Sequence, residues 1–299
     1  MGKTKEGAIM PSQENGEQTL TENSGNARAQ NLTKDIFLTF LKTLIILVGS
    51  AFYILAVSLC LSPNFAISVY EFLGATKASL SCYERIYAES GELADLYNLS
   101  IKCVEAKDYK KASTYIETLR GAESYEDFCR EVNRATIETT SLKYVAYVAD
   151  LDGYLVSQNI LSLYESGEKQ KSKEFAVLDL ASENVYSFGI STYAMCLMSD
   201  SSLSSEKKSE SLKNLAEQNV TFDAETKTVL EWINERLALA NPDSSEEGNN
   251  IDKILRTYTC LKIENLNLII YENANEDALA SETRAKIEEL QNQYNMLIS

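Results

Sequence analysis

From Thr43 to Leu61 the chain reads TLIILVGSAFYILAVSLCL, nineteen residues without a charge. The apolar pattern extends back through Ile36, Phe37, Leu38, Phe40 and Leu41. A bilayer needs roughly 20 apolar residues in a helix, so the stretch 36–61 predicts one transmembrane helix. Lys42 lies within its first turns, where a long stem carries the ammonium to the headgroups. A cleaved signal would stand at the extreme N-terminus with a shorter apolar region, whereas about forty residues come first here. AVSLC around Cys60 has the look of a lipoprotein signal, but Leu59 occupies a position that such signals give to a small residue, and Cys60 reads as a plain residue of the span.

Flanking charge predicts orientation. Arg28, Lys34 and Lys42 precede the span, and the first basic residue beyond Leu61 is Lys77, so the tail is expected in the cytoplasm and the large C-terminal part outside a cell membrane. Residues 1–62 carry five basic and five acidic side chains, which leaves the whole net charge of −16 in the remainder. Such a surface repels nucleic acid and favours solubility. Residues 1–33, rich in Gly, Asn, Gln, Ser and Thr, are expected to form a disordered tail, being too poor in large apolar groups to offset ordering entropy.

Histidine is absent, which removes Ser-His-Asp and Cys-His nucleophilic machinery, His-ligated zinc and imidazole acid–base chemistry. No phosphate loop, nucleophile elbow or basic–aromatic patch is present. The chain is therefore read as a non-enzyme without a catalytic, cofactor or metal site, with carboxylate or Cys chemistry as a third alternative. Asp150 and Asp152 in VADLDGY lack the further oxygen ligands of a calcium loop and read as a helix boundary. Six cysteines, none in a CxxC pair, lie among apolar residues and read as buried thiols, although Cys82 and Cys103 could bridge neighbouring hairpins outside the cytosol.

With only 3 Pro and 12 Gly, the remaining chain is expected to be all-α. Apolar residues recur at helical spacing in Leu96, Leu99, Cys103 and Ala106, and again in Tyr109, Ala112, Tyr115, Ile116 and Leu119, with a turn at Lys107-Asp108. LYNLSIKCVEAKDYKKASTYIETL thereby resembles a tetratricopeptide repeat, matching it at Leu96, Tyr97, Asn98, Leu99, Ser100, Asp108, Tyr109, Ala112 and Tyr115, and departing from it at Lys107 and Leu119. The segment PNFAISVYEFLGATKASLSCYERIYAES aligns to the same pattern, so the resemblance covers about 63–119, and Ser79, Ala112 and Ala146 follow at 33 and 34 residues. A further hairpin at about 151–180 turns at Gly167 but falls out of that register. An ordinary helical bundle with recurring hairpins is the alternative.

Four regions are expected: the tail 1–33, the span 36–61, a repeat-like domain 63–198 and a C-terminal helical region 199–299. Residues 184–199 read as a buried helix, Ser199–Ser211 and 241–250 as linkers, and 223–239 as a helix with Trp232 in the core. The C-terminal region closes with a hairpin whose second arm, Leu279, Thr283, Ile287, Leu290, Tyr294 and Leu297, has coiled-coil spacing. Stacked hairpins of the resembled family form a concave binding face, which implies a membrane-anchored scaffold for a protein or peptide partner with Tyr97, Asn98 and Lys102 in its groove. The alternatives are a self-associating component of a membrane assembly, which would be a homo-oligomer, and a cytosol-facing adaptor should the orientation be inverted.

Overall fold

A computed structural model describes residues 17–244 and 250–299, with fourteen α-helices and one two-stranded hairpin among them. The helices are α1 (Glu17–Leu61), α2 (Pro63–Phe72), α3 (Thr76–Ser90), α4 (Leu93–Glu105), α5 (Tyr109–Arg120), α6 (Tyr125–Thr139) and α7 (Leu142–Val148). They continue with α8 (Leu151–Glu165), α9 (Lys169–Asp179), α10 (Gly189–Ser199) and α11 (Ser205–Ala216). Strands β1 (Asn219–Phe222) and β2 (Glu225–Thr228) then precede α12 (Val229–Leu239), α13 (Asn250–Ala274) and α14 (Asp277–Ile298). The chain divides into a unit ending at Ala66 and a second, Ile67–Ser299.

In the first unit, α1 holds the 26-residue apolar stretch Ile36–Leu61, none of it buried. At 1.5 Å per residue this is about 39 Å of helix, longer than a hydrocarbon core of about 30 Å. The helix begins at Glu17, not at the apolar stretch, so 17–33, expected as disordered, has helical backbone. Extending a helix already nucleated by an apolar run costs far less than starting one, and this segment contains only one Gly and no Pro. Residues 1–16 of the expected tail lie outside the described residues.

Four helical hairpins of the second unit share one kind of turn. A residue in the left-handed region ends the first helix of α2–α3 (Gly74, φ 67°), α4–α5 (Lys107, φ 59°), α8–α9 (Gly167, φ 93°) and α13–α14 (Asn275, φ 59°). In each, the next N–H reaches back five residues: Ala75 to Tyr70 O, Asp108 to Cys103 O, Glu168 to Leu163 O and Glu276 to Tyr271 O, all at 2.8–2.9 Å. This satisfies a carbonyl that the helix end leaves free and reverses the chain. Lys107, where the resembled family has Gly, pays the left-handed strain that Gly74 and Gly167 avoid.

Packing follows the apolar stripes. Leu96, Leu99, Cys103, Ala112, Ile116 and Leu119 are at most 1 % exposed, so the α4–α5 hairpin forms as its sequence predicts. Each such aliphatic side chain contributes roughly 1.5–3 kcal/mol by leaving water. The α5 helix packs on α8, however, and α6 and α7 are set outside that stacking. Ala146, at the spacing of a third repeat, is buried on α7 against a cluster with Ile254, Leu255, Leu261 and Tyr294 of the C-terminal hairpin. The equal spacing of Ser79, Ala112 and Ala146 therefore does not correspond to three equivalent packing positions.

No boundary separates 63–198 from 199–299. One continuous core joins Val156 and Ile160 of α8, Ile190 and Leu197 of α10, Leu212 and Leu215 of α11, Ile233 of α12 and Ile263 and Leu266 of α13. The 184–199 segment is buried largely as α10, as expected. Half of the Ser-rich stretch is helix, because Ser204 accepts from the Lys207 N–H and caps α11, a role that the polar composition alone obscures. Of the second linker, Pro242–Ser244 form a 3-10 turn and 245–249 lie outside the described residues.

The helix expected from Asp223 begins at Val229, after the hairpin β1–β2. Asp223 (φ 48°) and Ala224 (φ 68°) make its two-residue turn, both left-handed as this tight reversal demands. Val220, Thr221 and Phe222 suit a strand, but Ala in place of Gly in the turn hid the signal. Thr228 and Glu231 then form a reciprocal capping box that starts α12. Trp232 is half-buried, edge-on to Phe222 with ring centroids 5.2 Å apart. On α14, the seam residues Ile287, Leu290, Tyr294 and Leu297 pack within this unit.

Candidate functional site

The three residues expected in one groove lie on α4 but face three environments. Tyr97 is half-buried, its ring centroid 6.2 Å from that of Phe128, and burial raises its pKa. Asn98 is exposed. Lys102 is bound to Glu105 at 2.9 Å and to Glu71 at 3.2 Å, beside a small cavity of about 340 Å³ that also touches Gly74, Ser79 and Leu80. Hydrogen bonding to Glu105, with that to Glu71, raises its pKa, and this ammonium ties two hairpins together. Tyr97 alone of the three lines a second cavity, larger than the one beside Lys102.

That cavity, about 840 Å³, opens between α4, α6, α7, α8, α10 and α13. Tyr97, Tyr144, Tyr154, Tyr186 and Tyr258 contribute aromatic walls, and Val132, Leu151, Met195 and Leu255 add aliphatic surface. Hydroxyl groups come from Thr136, Thr140, Ser157, Ser191, Thr192 and Thr259. Two charged residues are present, Asp150 and Lys262. At the mouth, Tyr144 and Met195 are 53 % and 62 % exposed, and Leu142 beside Tyr144 on α7 is 41 % exposed.

A polar frame sets these walls. Asp150 is the N-cap of α8, where its Oδ1 accepts the Gly153 N–H at 3.2 Å and the Asn184 Nδ2–H at 3.1 Å. Gly153 is required there, because a Cβ would collide with the Asp150 carboxylate. Asn184 Oδ1 accepts the Tyr186 N–H at 3.1 Å, and the Tyr186 hydroxyl donates to Asp252. Burial, then this bond to Asp252, pushes the Tyr186 phenol up to about 12. From the other side, Asn133 of α6 accepts the Leu151 N–H at 2.8 Å. The start of α8 and the loop that carries Tyr186 are thus each fixed by hydrogen bonds.

Asp150 and Asp152 act at a helix boundary, as their sequence suggests, and they diverge. While Asp150 caps α8, Asp152 accepts the Tyr125 hydroxyl at 2.6 Å and Arg120 Nε at 3.1 Å. Burial raises the pKa of Asp150, with Asn184 and Gly153 opposing the rise. Burial lowers that of Lys262, opposed by the charges of Asp150 and Asp179 at a distance. The Lys262 ammonium lies 5.3 Å from the Tyr258 ring centroid, a weak cation–π contact.

The cysteines are all free, and Cys82 and Cys103 form no bridge. Burial holds the thiols of Cys103 and Cys260 up at about 12 and those of Cys129 and Cys196 at about 11, so they remain protonated and unreactive at neutral pH.

Sequence reasoning did not foresee that Lys262 and Asp150 line one cavity. A single Lys inside the apolar stripe Leu255, Leu261, Ile263 and Leu266 was the available signal. Its meaning depended on α13 coming opposite the start of α8 across the cavity, a pairing remote in sequence. No family model, curated protein or solved structure matches this chain.

Proposed function

We propose that this chain is a membrane-anchored helical scaffold that binds a protein or peptide partner. The observation that carries this reading is the Tyr-lined cavity with the exposed lining residues Tyr144 and Met195, the kind of concave, partly aromatic surface on which binding energy concentrates. Ile36–Leu61 of α1 is the anchor in a cell membrane, with the N-terminus cytoplasmic and the acidic helical unit outside. The α2–α5 hairpins are a short, degenerate stack of the tetratricopeptide kind, extended by α8–α9. Tyr97 belongs to the binding face, Asn98 to its solvent side and Lys102 to its framework.

The test is a photo-crosslinking side chain placed at Tyr144 or Met195 of the full chain in its own cells, with exposed Glu210 on α11 as reference. A discrete adduct from the two mouth positions, absent from 210 and lost with Tyr97→Ala, is expected. Adducts with the mass of a second copy would replace the reading with self-association. Adducts that ignore position would remove it.

A further inference from the structure

We propose that the interior of the cavity is a binding site for a small amphipathic carboxylic acid, an aromatic or aliphatic body bearing one carboxylate, with the Lys262 ammonium as its counter-ion. This goes beyond the partner reading and stands on the interior walls alone. The volume of about 840 Å³ lies within the roughly 300–1,000 Å³ typical of small-molecule sites. Tyr97, Tyr154 and Tyr258 offer flat apolar faces to such a body.

The charge of the ligand follows from Lys262. Its ammonium is half-buried, and among the described residues it has neither a hydrogen bond nor an ion pair. An ammonium withdrawn from water with only a weak cation–π contact is costly, and the cost is relieved by an anion brought to it. Asp150 does not supply that anion: Oδ1 is occupied by Gly153 and Asn184, and its carboxylate lies against the first turn of α8. Asp179, the other carboxylate felt by Lys262, accepts from the Ser187 hydroxyl at 2.6 Å and from the Gly189 N–H.

Asp150 also limits the ligand. A dianion such as a phosphate monoester would bring one more negative charge than Lys262 can balance, beside the Asp150 carboxylate, whereas a single carboxylate matches the one cation. A cationic ligand meets Lys262 unfavourably, and a neutral one leaves the ammonium as it was.

Isothermal titration of the full chain in zwitterionic lipid nanodiscs with 4-phenylbutyrate, 4-phenylbutanol and 4-phenylbutylamine tests this. The acid is expected to bind once per chain, at least tenfold tighter than the alcohol or amine. Lys262→Gln is expected to erase the preference for the acid, while Lys207→Gln on the exposed face of α11 keeps it. Ser157→Phe, which fills the cavity and leaves Lys262 in place, is expected to abolish binding of all three. Should Lys262→Gln fail to fold by circular dichroism, the three probes against the native chain and Ser157→Phe still decide. Equal affinity for acid and alcohol, acid preference retained in Lys262→Gln, unchanged binding in Ser157→Phe, or no saturable binding would each overturn the assignment.

Discussion

Replacing Arg236 by Met keeps an unbranched apolar stem on α12 and removes the guanidinium that closes the end of α9. Arg236 is 2 % exposed. Its Nη2 donates to the carbonyls of Asp179, Leu180 and Ser182 at 2.8–2.9 Å, and Nη1 to that of Asn184 at 2.9 Å. These are carbonyls at the α9 C-terminus and in the loop that carries Tyr186, where a cation also meets the negative end of the helix dipole. Each hydrogen bond to a charged donor is worth about 1.5–3 kcal/mol net, and Met recovers part of this by removing the desolvation of the guanidinium. What remains is the loss typical of breaking a buried charged network, about 3–5 kcal/mol out of a total of roughly 5–15 kcal/mol.

Asp179 makes the loss depend on pH. Burial raises its pKa, and the Arg236 charge opposes the rise. A carboxyl with a folded pKa above its unfolded value contributes stability below the unfolded value, near 3.9, and loses it as pH rises through the folded value. Without Arg236 the folded pKa climbs further, so the stabilising window reaches to higher pH. The destabilisation by Arg236→Met is therefore smaller at pH 5 than at pH 8. Urea unfolding of the full-length protein, followed by far-UV circular dichroism at both pH values, measures this. A loss under about 1 kcal/mol at pH 8, or a larger loss at pH 5, would refute the role given to this network.

Lys107→Gly is expected to stabilise the protein by about 1 kcal/mol, because the left-handed conformation costs a non-Gly residue roughly 1–2 kcal/mol and Gly repays part of that in unfolded-state entropy; Gly167→Ala should lose a similar amount, both read by denaturant midpoint. Iodoacetamide at pH 8 should label half-buried Cys82 of the folded protein well before Cys103, Cys129, Cys196 or Cys260, with mass spectrometry locating the adducts. Equal rates would mean that these four are not enclosed. In intact cells, Ser201→Cys in a Cys-free chain should react with a membrane-impermeant thiol reagent, and labelling confined to a Cys introduced in the tail would invert the orientation.

Local periodicity made the apolar helix, the α4–α5 and α8–α9 hairpins and the C-terminal hairpin readable, since each is a stripe of near neighbours closed by a short turn. What escaped was non-local or small. The α6–α7 pair breaks the stacking because α7 finds its core on α13 and α14, and nothing within Leu142–Val148 signals that choice. The Asp223-Ala224 turn concealed a hairpin for want of Gly. Of the groove residues, Tyr97 could be placed at the cavity, but Lys102 is tied to Glu71, 31 residues upstream, and that pairing exists only once two hairpins dock.

Because Lys262 and Tyr258 come from α13, the pocket has a history during synthesis. Domains fold as units, and the core that joins α8 and α10 runs on into α13, so the pocket has no finished form while this wall is still untranslated. During that interval Tyr97, Tyr154 and Met195 have no α13 wall to face and no Lys262 near them. Arrival of α13 supplies the missing wall and the cation in the same step. A chain stalled before residue 250 therefore lacks both Lys262 and the wall that carries it, and on the proposed assignment a preference for an acid over an alcohol reports that α13 is in place.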